Sequence, residues 1–266
     1  MSLGIVISLA NQKGGVAKTT TCVNLGAGLA RKGYKTLLID FDPQASLSIY
    51  FGIDYQEPSL GSVGDWVMNR KPFDKVVQET SFPLLDIIPT NEELKSDELS
   101  IQQDMVKSFR YLQRKVDSVR GQYDFILIDT MPSFSLLFLN SLTACDKVLI
   151  PVKLEFLSVQ GLQPLGNKIK DIREELKPIE ILGIVGTFYR NGVNESETCV
   201  QELRDELTTQ VFTTVINQNV TLSQAAAHSK PIQQFDKYSQ GSKDYEMLTE
   251  EVLARCKIKV EDAVAR

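Results

Sequence analysis

Residues 11–20 read Asn-Gln-Lys-Gly-Gly-Val-Ala-Lys-Thr-Thr, set between an apolar run, Ile5–Ala10, and a helical pattern over Cys22–Arg31. Strand, glycine-rich turn and helix in immediate succession are the layout of a phosphate-binding loop. Backbone N–H groups of the turn, and the helix N-terminus behind it, hold anionic phosphates. In that pattern Lys18 reaches the β- and γ-phosphates and the Thr19 hydroxyl sits on Mg²⁺. Lys13 is a second lysine that the ordinary loop pattern does not require.

The rest of the chain supplies a sheet for this loop. Short β-branched runs at Ile5–Leu9, Thr36–Ile39, Leu84–Ile88, Phe125–Ile128, Lys147–Val152, Ile181–Thr187 and Val211–Ile216 read as buried parallel strands. Helical patterns lie between them. Met105, Phe109, Leu112, Val116 and Val119 recur at three- to four-residue spacing and predict one helix with a single apolar stripe. Leu157–Leu176 and Glu197–Leu207 also read as helices. Alternation of strand and helix predicts an α/β fold: a single doubly wound domain, its central sheet mostly parallel, with helices on both faces. The 266 residues, 42% of them hydrophobic, suffice for one large core, and no Pro/Gly/Ser-rich linker, repeat or low-complexity segment divides them.

Composition excludes several classes. No apolar run is long enough to span a bilayer, and the N-terminus, which lacks a basic segment, enters a strand directly instead of forming a signal peptide. The four cysteines, Cys22, Cys145, Cys199 and Cys256, are far apart and define neither a zinc site nor a disulfide framework, which suits a reduced cytosol. His228 is the only histidine and reads as structural. The formal charge of −5 is not that of a basic nucleic-acid-binding protein, so DNA contact needs a local patch or one built by a dimer.

Two apolar strands end in aspartate: Thr36-Leu-Leu-Ile-Asp40-Phe-Asp42-Pro-Gln44 and Phe125-Ile-Leu-Ile-Asp129-Thr-Met-Pro-Ser133. In a parallel sheet these ends lie on the edge that carries the phosphate loop. A carboxylate there can hold Mg²⁺ directly or through water. Asp40 and Asp42 flank one residue, so in extended backbone they point opposite ways and take different jobs, one at the metal and one at the attacking water.

These residues carry a family resemblance. Lys13-Gly-Gly-Val-Ala-Lys18-Thr-Thr20 resembles the deviant Walker A motif of the ParA/MinD ATPases. Ile39-Asp-Phe-Asp-Pro-Gln44 resembles the family's Walker A′ motif and Ile126-Leu-Ile-Asp-Thr-Met-Pro132 its Walker B motif. Ile88-Pro-Thr-Asn-Glu-Glu-Leu94, Val148–Val152 with Glu155, Asn219-Val-Thr-Leu-Ser-Gln-Ala225, and Lys230-Pro-Ile with Phe235-Asp236, Ser239 and Gly241 resemble the ParA/Soj branch. The resemblance runs from about Ile5 to Leu253.

The resemblance implies one ATPase domain over residues 1–266, with no N-terminal DNA-binding extension. It implies a P-loop NTPase that binds ATP and Mg²⁺ and dimerises with two nucleotides sandwiched between subunits. Gly14, Gly15, Val16, Ala17, Lys18, Thr19 and Thr20 would hold the phosphates in cis, and Lys13 would cross to the partner's phosphates. A cation delivered in trans neutralises charge on the transferred phosphoryl, as an arginine finger does. Lys13, Lys18 and Asp42 then carry catalysis, with Asp42 positioning or activating water. Thr19, Asp40 and Asp129 serve the metal, Asp40 also supporting the switch region. Arg190, after a strand in Phe188-Tyr-Arg190, and Asn219 are expected near the adenine. The implied function is a cytoplasmic homodimeric ATPase, nucleoid-associated when ATP-bound. It would bind non-specific double-stranded DNA, answer to a ParB-type activator, and segregate a plasmid or chromosome.

Departures qualify this expectation. Ala17 stands where most members have Gly; its Cβ favours helical or extended φ, so the loop is expected to stay at negative φ there. Several cations of the ParA/Soj pattern are neutral here, as in Ile216-Asn-Gln-Asn-Val220 and at Gln234, Tyr238 and Gln240. The remaining candidates for a weak, salt-dependent DNA surface are Lys107, Arg110 and Arg114, expected on one helix face, and the scattered Lys230, Lys237, Lys243, Lys257 and Lys259. A ParA-like ATPase that positions a protein cargo, such as a microcompartment or receptor array, is the alternative. A MinD-like membrane ATPase fits less well, because residues 249–266 hold acids and no aromatic. A nitrogenase-type reductase lacks its paired cysteines.

Overall fold

The computed structural model describes residues 3–57, 59–104, 107–155, 160–207 and 210–257. Its strands are β1 (Ile5–Leu9), β2 (Thr36–Phe41), β3 (Gln78–Glu79), β4 (Leu85–Ile88), β5 (Phe125–Thr130), β6 (Lys147–Lys153), β7 (Glu180–Tyr189) and β8 (Val211–Asn217). Helices α1 (Lys18–Arg31), α2 (Ser46–Tyr50), α3 (Val63–Val67), α4 (Leu94–Gln102) and α5 (Tyr111–Val119) belong to the first half. Helices α6 (Leu136–Ala144), α7 (Gln163–Glu175), α8 (Asn194–Leu207), α9 (Val220–Ala227), α10 (Ile232–Phe235) and α11 (Gln240–Arg255) follow. Among the described residues the strands form one sheet in the order β3-β4-β2-β5-β1-β6-β7-β8. The short β3, for which the sequence gives no signal, pairs antiparallel with β4, and the other pairings are parallel.

Strand pleating divides the core in two. Leu37, Ile39, Ile126, Ile128 and Val148 face the layer built on α3 to α8, whereas Leu38, Leu127 and Leu149 face α1 and α11. Alternate side chains on a strand must point to opposite faces, and here both faces are covered, which is why the central strands are uninterrupted apolar runs. α1 is buried along nearly its whole length. It approaches α11 at Gly28, where a Cβ would come within 2.1 Å of Thr249 Oγ1. At the β8 edge, Glu251 accepts from the N–H groups of Thr213 (2.8 Å) and Thr214 (3.0 Å), and Asp244 accepts from that of Asn217 (2.8 Å). These carboxylates satisfy donors that would otherwise pair with a foreign strand.

One expected helix is shorter than its stripe. Ser108–Arg110 form a 3-10 turn, and α5 starts only at Tyr111. Asn140 on α6 causes the break: its Oδ1 accepts from Tyr111 N (3.0 Å) and Leu112 N (3.3 Å), and its Nδ2 donates to Ser108 O (2.7 Å). A side chain from a neighbouring helix thus caps α5. Phe109 is left partly exposed, and Lys107, Arg110 and Arg114 do not share one helix face. Met105 lies outside the described residues, as do residues 157–159 of the helix expected at 157–176, which begins as α7 at Gln163.

Candidate functional site

The carboxyl ends of β1, β2 and β5 meet at one edge, because Leu9 pairs with Asp129 and Asp129 with Asp40. The loop after β1 turns there into α1. Gly15 has φ +71, a left-handed conformation that glycine adopts without strain, and a Cβ at Gly14 or Gly15 would meet nothing within 4 Å. That side of the loop is open for phosphate. α1 has no side-chain cap and no acid in its first turn, so its N-terminal N–H groups and positive dipole end are kept for an anion. Ser62 at α3, Ser135 at α6, Asn219 at α9 and Ser239 at α11 do cap their helices.

Lys18 is nearly buried, and its Nζ donates to the carbonyls of Asn11 (3.0 Å) and Lys13 (3.3 Å). Desolvation holds its pKa below the ordinary value, with Asp129 and Asp42 opposing. Asn11 closes the loop from the other side: Nδ2 donates to Pro151 O (2.8 Å) and Oδ1 accepts from Lys13 N (2.9 Å).

Ala17 breaks the expectation. It adopts φ 66 and ψ 33, left-handed despite its Cβ. The turn from the loop into α1 demands that conformation, and the fold imposes it on alanine at a cost of about 1–2 kcal/mol. Thr21 N donates to Ala17 O (2.9 Å), so the strained residue is pinned by the first turn of α1.

The three strand-end aspartates take three different environments. Thr19 Oγ1 donates to Asp129 Oδ2 (2.6 Å), while Asp129 Oδ1 is buried and has no hydrogen-bond partner among the described residues. Burial lifts the Asp129 pKa to about 7. A buried carboxylate oxygen left unsatisfied beside a threonine hydroxyl suits a hard cation that takes its remaining ligands from phosphate and water. Thr19 and Asp129 could therefore hold Mg²⁺.

Asp40, expected at the metal, is engaged elsewhere. Its Oδ2 accepts from Ser48 N (2.8 Å) and Ser48 Oγ (2.7 Å), and its Oδ1 from Asp42 N (3.3 Å). Just beyond β2 the chain folds back into α2, which delivers both Ser48 donors to this carboxylate. Asp40 thus supports the 42–48 segment, the switch-region part of its expected role. Burial, and then the neighbouring Asp129, push its pKa up to about 8. Asp42 lies past the end of β2, slightly exposed, with Oδ1 accepting from Gln44 N (2.9 Å). Burial raises its pKa while Gln44 N–H, Lys18 and Lys95 act against that. The divergence expected from the Asp-Phe-Asp spacing is present: one carboxylate points inward to α2 and the other sits near Lys18.

Lys13 differs from Lys18. Its side chain is 53% exposed and pairs with Glu155, which also pairs with Lys153 at 2.8 Å. Lys153 in turn lies 5.7 Å from the centroid of the Phe188 ring.

Beside the loop is a cavity of about 350 Å³ lined by Ala17, Thr20, Phe188, Asn219, Leu222 and Tyr245 among others. Its size, its apolar walls and its polar rim suit a nucleotide base and ribose. Asn219 both lines it and caps α9 through Thr221 N (2.8 Å). Arg190 is exposed and is not part of the lining; its Nε donates to Gln218, which is. His228 stacks on Phe235, centroids 5.1 Å apart, in keeping with a structural role. Lys230, Lys237, Lys243 and Lys257 are exposed, and Lys259 lies outside the described residues. Sequence reasoning missed the roles of Asn11 and Ser48. Asn11 stands inside the phosphate-loop run itself; Ser48 is a lone hydroxyl between Leu47 and Ile49 and carries no pattern.

Comparison with known proteins agrees with this geometry. Residues 4–181 match a family model described as an AAA domain. The chain is 37% identical over 253 residues to a chromosome partitioning protein ParA of Caulobacter vibrioides, covering 94% of each. It is 36% identical over 253 residues to the sporulation initiation inhibitor protein Soj of Bacillus subtilis, covering 95% of this chain and 99% of that one. Among solved structures, cobyrinic acid a,c-diamide synthase of Mycobacterium smegmatis, with a bound ATP analogue and magnesium, superposes with a TM-score of 0.85 at 27% identity, over 96% of each chain.

Proposed function

Because the chain belongs to the ParA/Soj family of AAA-domain ATPases, we propose that it is an ATP-dependent dimer that segregates chromosomal or plasmid DNA with a ParB-type partner. The observation that carries this reading is the contrast between two lysines in one loop. Lys18 is buried, with its Nζ bonded to carbonyls of its own loop, whereas Lys13 stands exposed at the rim. A second copy seated across that rim gives Lys13 a phosphate to reach.

Lys18, the loop amides and the N-terminus of α1 bind the triphosphate, and Thr19 and Asp129 hold the metal. A magnesium ion there neutralises charge on the phosphate oxygens. Asp42 orients the attacking water, and Lys13 of the second copy supplies positive charge to the transferred phosphoryl. Neither lysine moves a proton. Turnover is slow until the dimer and its activator complete the site, which makes hydrolysis an off-switch. The acidic chain, net charge −5, favours a basic activator segment. Among the described residues no helix is long and apolar enough to cross a membrane. DNA contact rests on scattered lysines, so it is weak and falls steeply with salt.

The test is ATP-dependent binding to a non-specific DNA duplex at low and moderate salt. Binding that needs ATP and weakens with salt supports the reading. No binding at either salt would move the function to the positioning of a protein cargo on another matrix.

A further inference from the structure

We propose that Ser48 is a positioning residue for hydrolysis, acting through Asp40 to hold Asp42 in place. This deepens the proposed function, since it rests on Asp42 being the residue that orients water. Ser48 is fully buried within the short α2, between Leu47 and Ile49. A serine inside a helix ordinarily bonds to a carbonyl of the preceding turn or faces water. This one does neither. Its hydroxyl donates to Asp40 Oδ2 (2.7 Å) and accepts from Thr90 N (3.0 Å), while its own N–H donates to the same Asp40 oxygen (2.8 Å).

A single oxygen atom therefore joins three pieces of chain. Asp40 is the penultimate residue of β2, Thr90 follows β4, and α2 closes the segment after Asp42. The other Asp40 oxygen accepts from Asp42 N (3.3 Å). Between them the turn is held by Ala45 N donating to Asp42 O (2.9 Å), with Ala45 buried in a left-handed conformation at φ 57. The Asp42 main chain is thus fixed by Asp40, and Asp40 is fixed by Ser48. Among the described residues neither Ser48 nor Thr90 bonds to Lys18, Thr19 or the loop amides, so this end of the relay sits apart from the groups that bind phosphate.

Removing the hydroxyl leaves Thr90 N–H without its acceptor and lets the Asp40 carboxylate rotate about its remaining Ser48 bond. A displacement of about 1 Å at a positioned group lowers turnover by as much as ~100-fold. The experiment measures kcat and KM for ATP, nucleotide affinity with a fluorescent analogue, and thermal unfolding, for the wild type, Ser48→Ala, Ser48→Thr and Asp42→Ala. Ser48→Ala is expected to lower kcat about 10- to 100-fold with nucleotide affinity held within about twofold, and Ser48→Thr, which keeps the hydroxyl, to recover most of kcat. Ser48→Ala with wild-type kcat overturns the assignment, and so does an equal loss of kcat and affinity. If Ser48→Ala does not fold, Ser48→Cys, near in size and a weaker donor, decides: lowered kcat with intact affinity supports the proposal and unchanged kcat refutes it. Asp42→Ala separates the two claims. Wild-type turnover in that variant removes the role of Asp42 itself, whereas an inactive Asp42→Ala beside a fully active Ser48→Ala removes only Ser48.

Discussion

Ala17→Gly is the substitution whose outcome the structure fixes most sharply. Ala17 sits at φ 66 and ψ 33 immediately before α1. An L-residue with a Cβ loses about 1–2 kcal/mol in that conformation, and glycine loses almost none. Glycine also has more freedom to lose from the unfolded chain, which returns about 0.4–1 kcal/mol. The net gain is about 0–1.6 kcal/mol, or up to roughly 6 °C in Tm for a chain of this size. Nucleotide affinity should stay within about threefold, since the junction of the loop with α1 sets the left-handed turn and the strain is then common to the free and bound states. Thermal unfolding with and without a non-hydrolysable ATP analogue reads both quantities. The reasoning fails if Ala17→Gly lowers Tm. It fails equally if Tm is unchanged while affinity tightens about tenfold, because the strain would then arise only on binding.

Two other perturbations probe the same edge of the sheet. Burial raises the pKa of Asp40 to about 8 and of Asp129 to about 7, from a usual 3.8. Above about pH 5.5, where carboxylates of lowered pKa such as Glu180 and Glu251 are ionised in both states, the folded chain keeps protons that the unfolded chain has released, so metal-free stability falls from there to about pH 8. Mg²⁺ with nucleotide should offset the loss most at the alkaline end, and a metal-free Tm that climbs over this range would contradict the assignment. Glu155→Gln loosens Lys13 from its own subunit. The pair is half exposed and worth about 0–1 kcal/mol, so Tm should hold while the ATP concentration for half-maximal dimerisation drops by up to about fivefold. Light scattering that shows weaker dimerisation would count against Glu155 as a restraint on Lys13.

The phosphate loop and the strand-end aspartates were legible because their chemistry is written in consecutive residues. Phe125–Ile128 is an uninterrupted apolar run and Ile5–Leu9 is broken only by Ser8, the pattern of strands buried on both faces. What could not be read depended on partners distant in sequence. α5 starts at Tyr111 because Asn140 caps it from α6, and nothing local announces that cap. The hold of Ser48 on Asp40 depends on α2 returning to the strand end, eight residues on. The Ala17 conformation was misjudged for a different reason. Residue preference argued for negative φ, and the geometry of the loop entering α1 outweighed it. The cavity beside the loop is assembled from Ala17 and Thr20 with the ends of β7 and β8, α9 and α11, so beyond the loop only the Asn219 and Phe188 regions are marked in the sequence.

The central claim is that Lys13 acts across a dimer while Lys18 serves its own subunit. Its most direct test is Lys13→Ala, followed by nucleotide titration of the monomer, light scattering with ATP and Mg²⁺, and turnover. Intact monomer binding, no ATP-dependent dimer and no turnover are the predicted result. An unchanged turnover in Lys13→Ala would contradict the account.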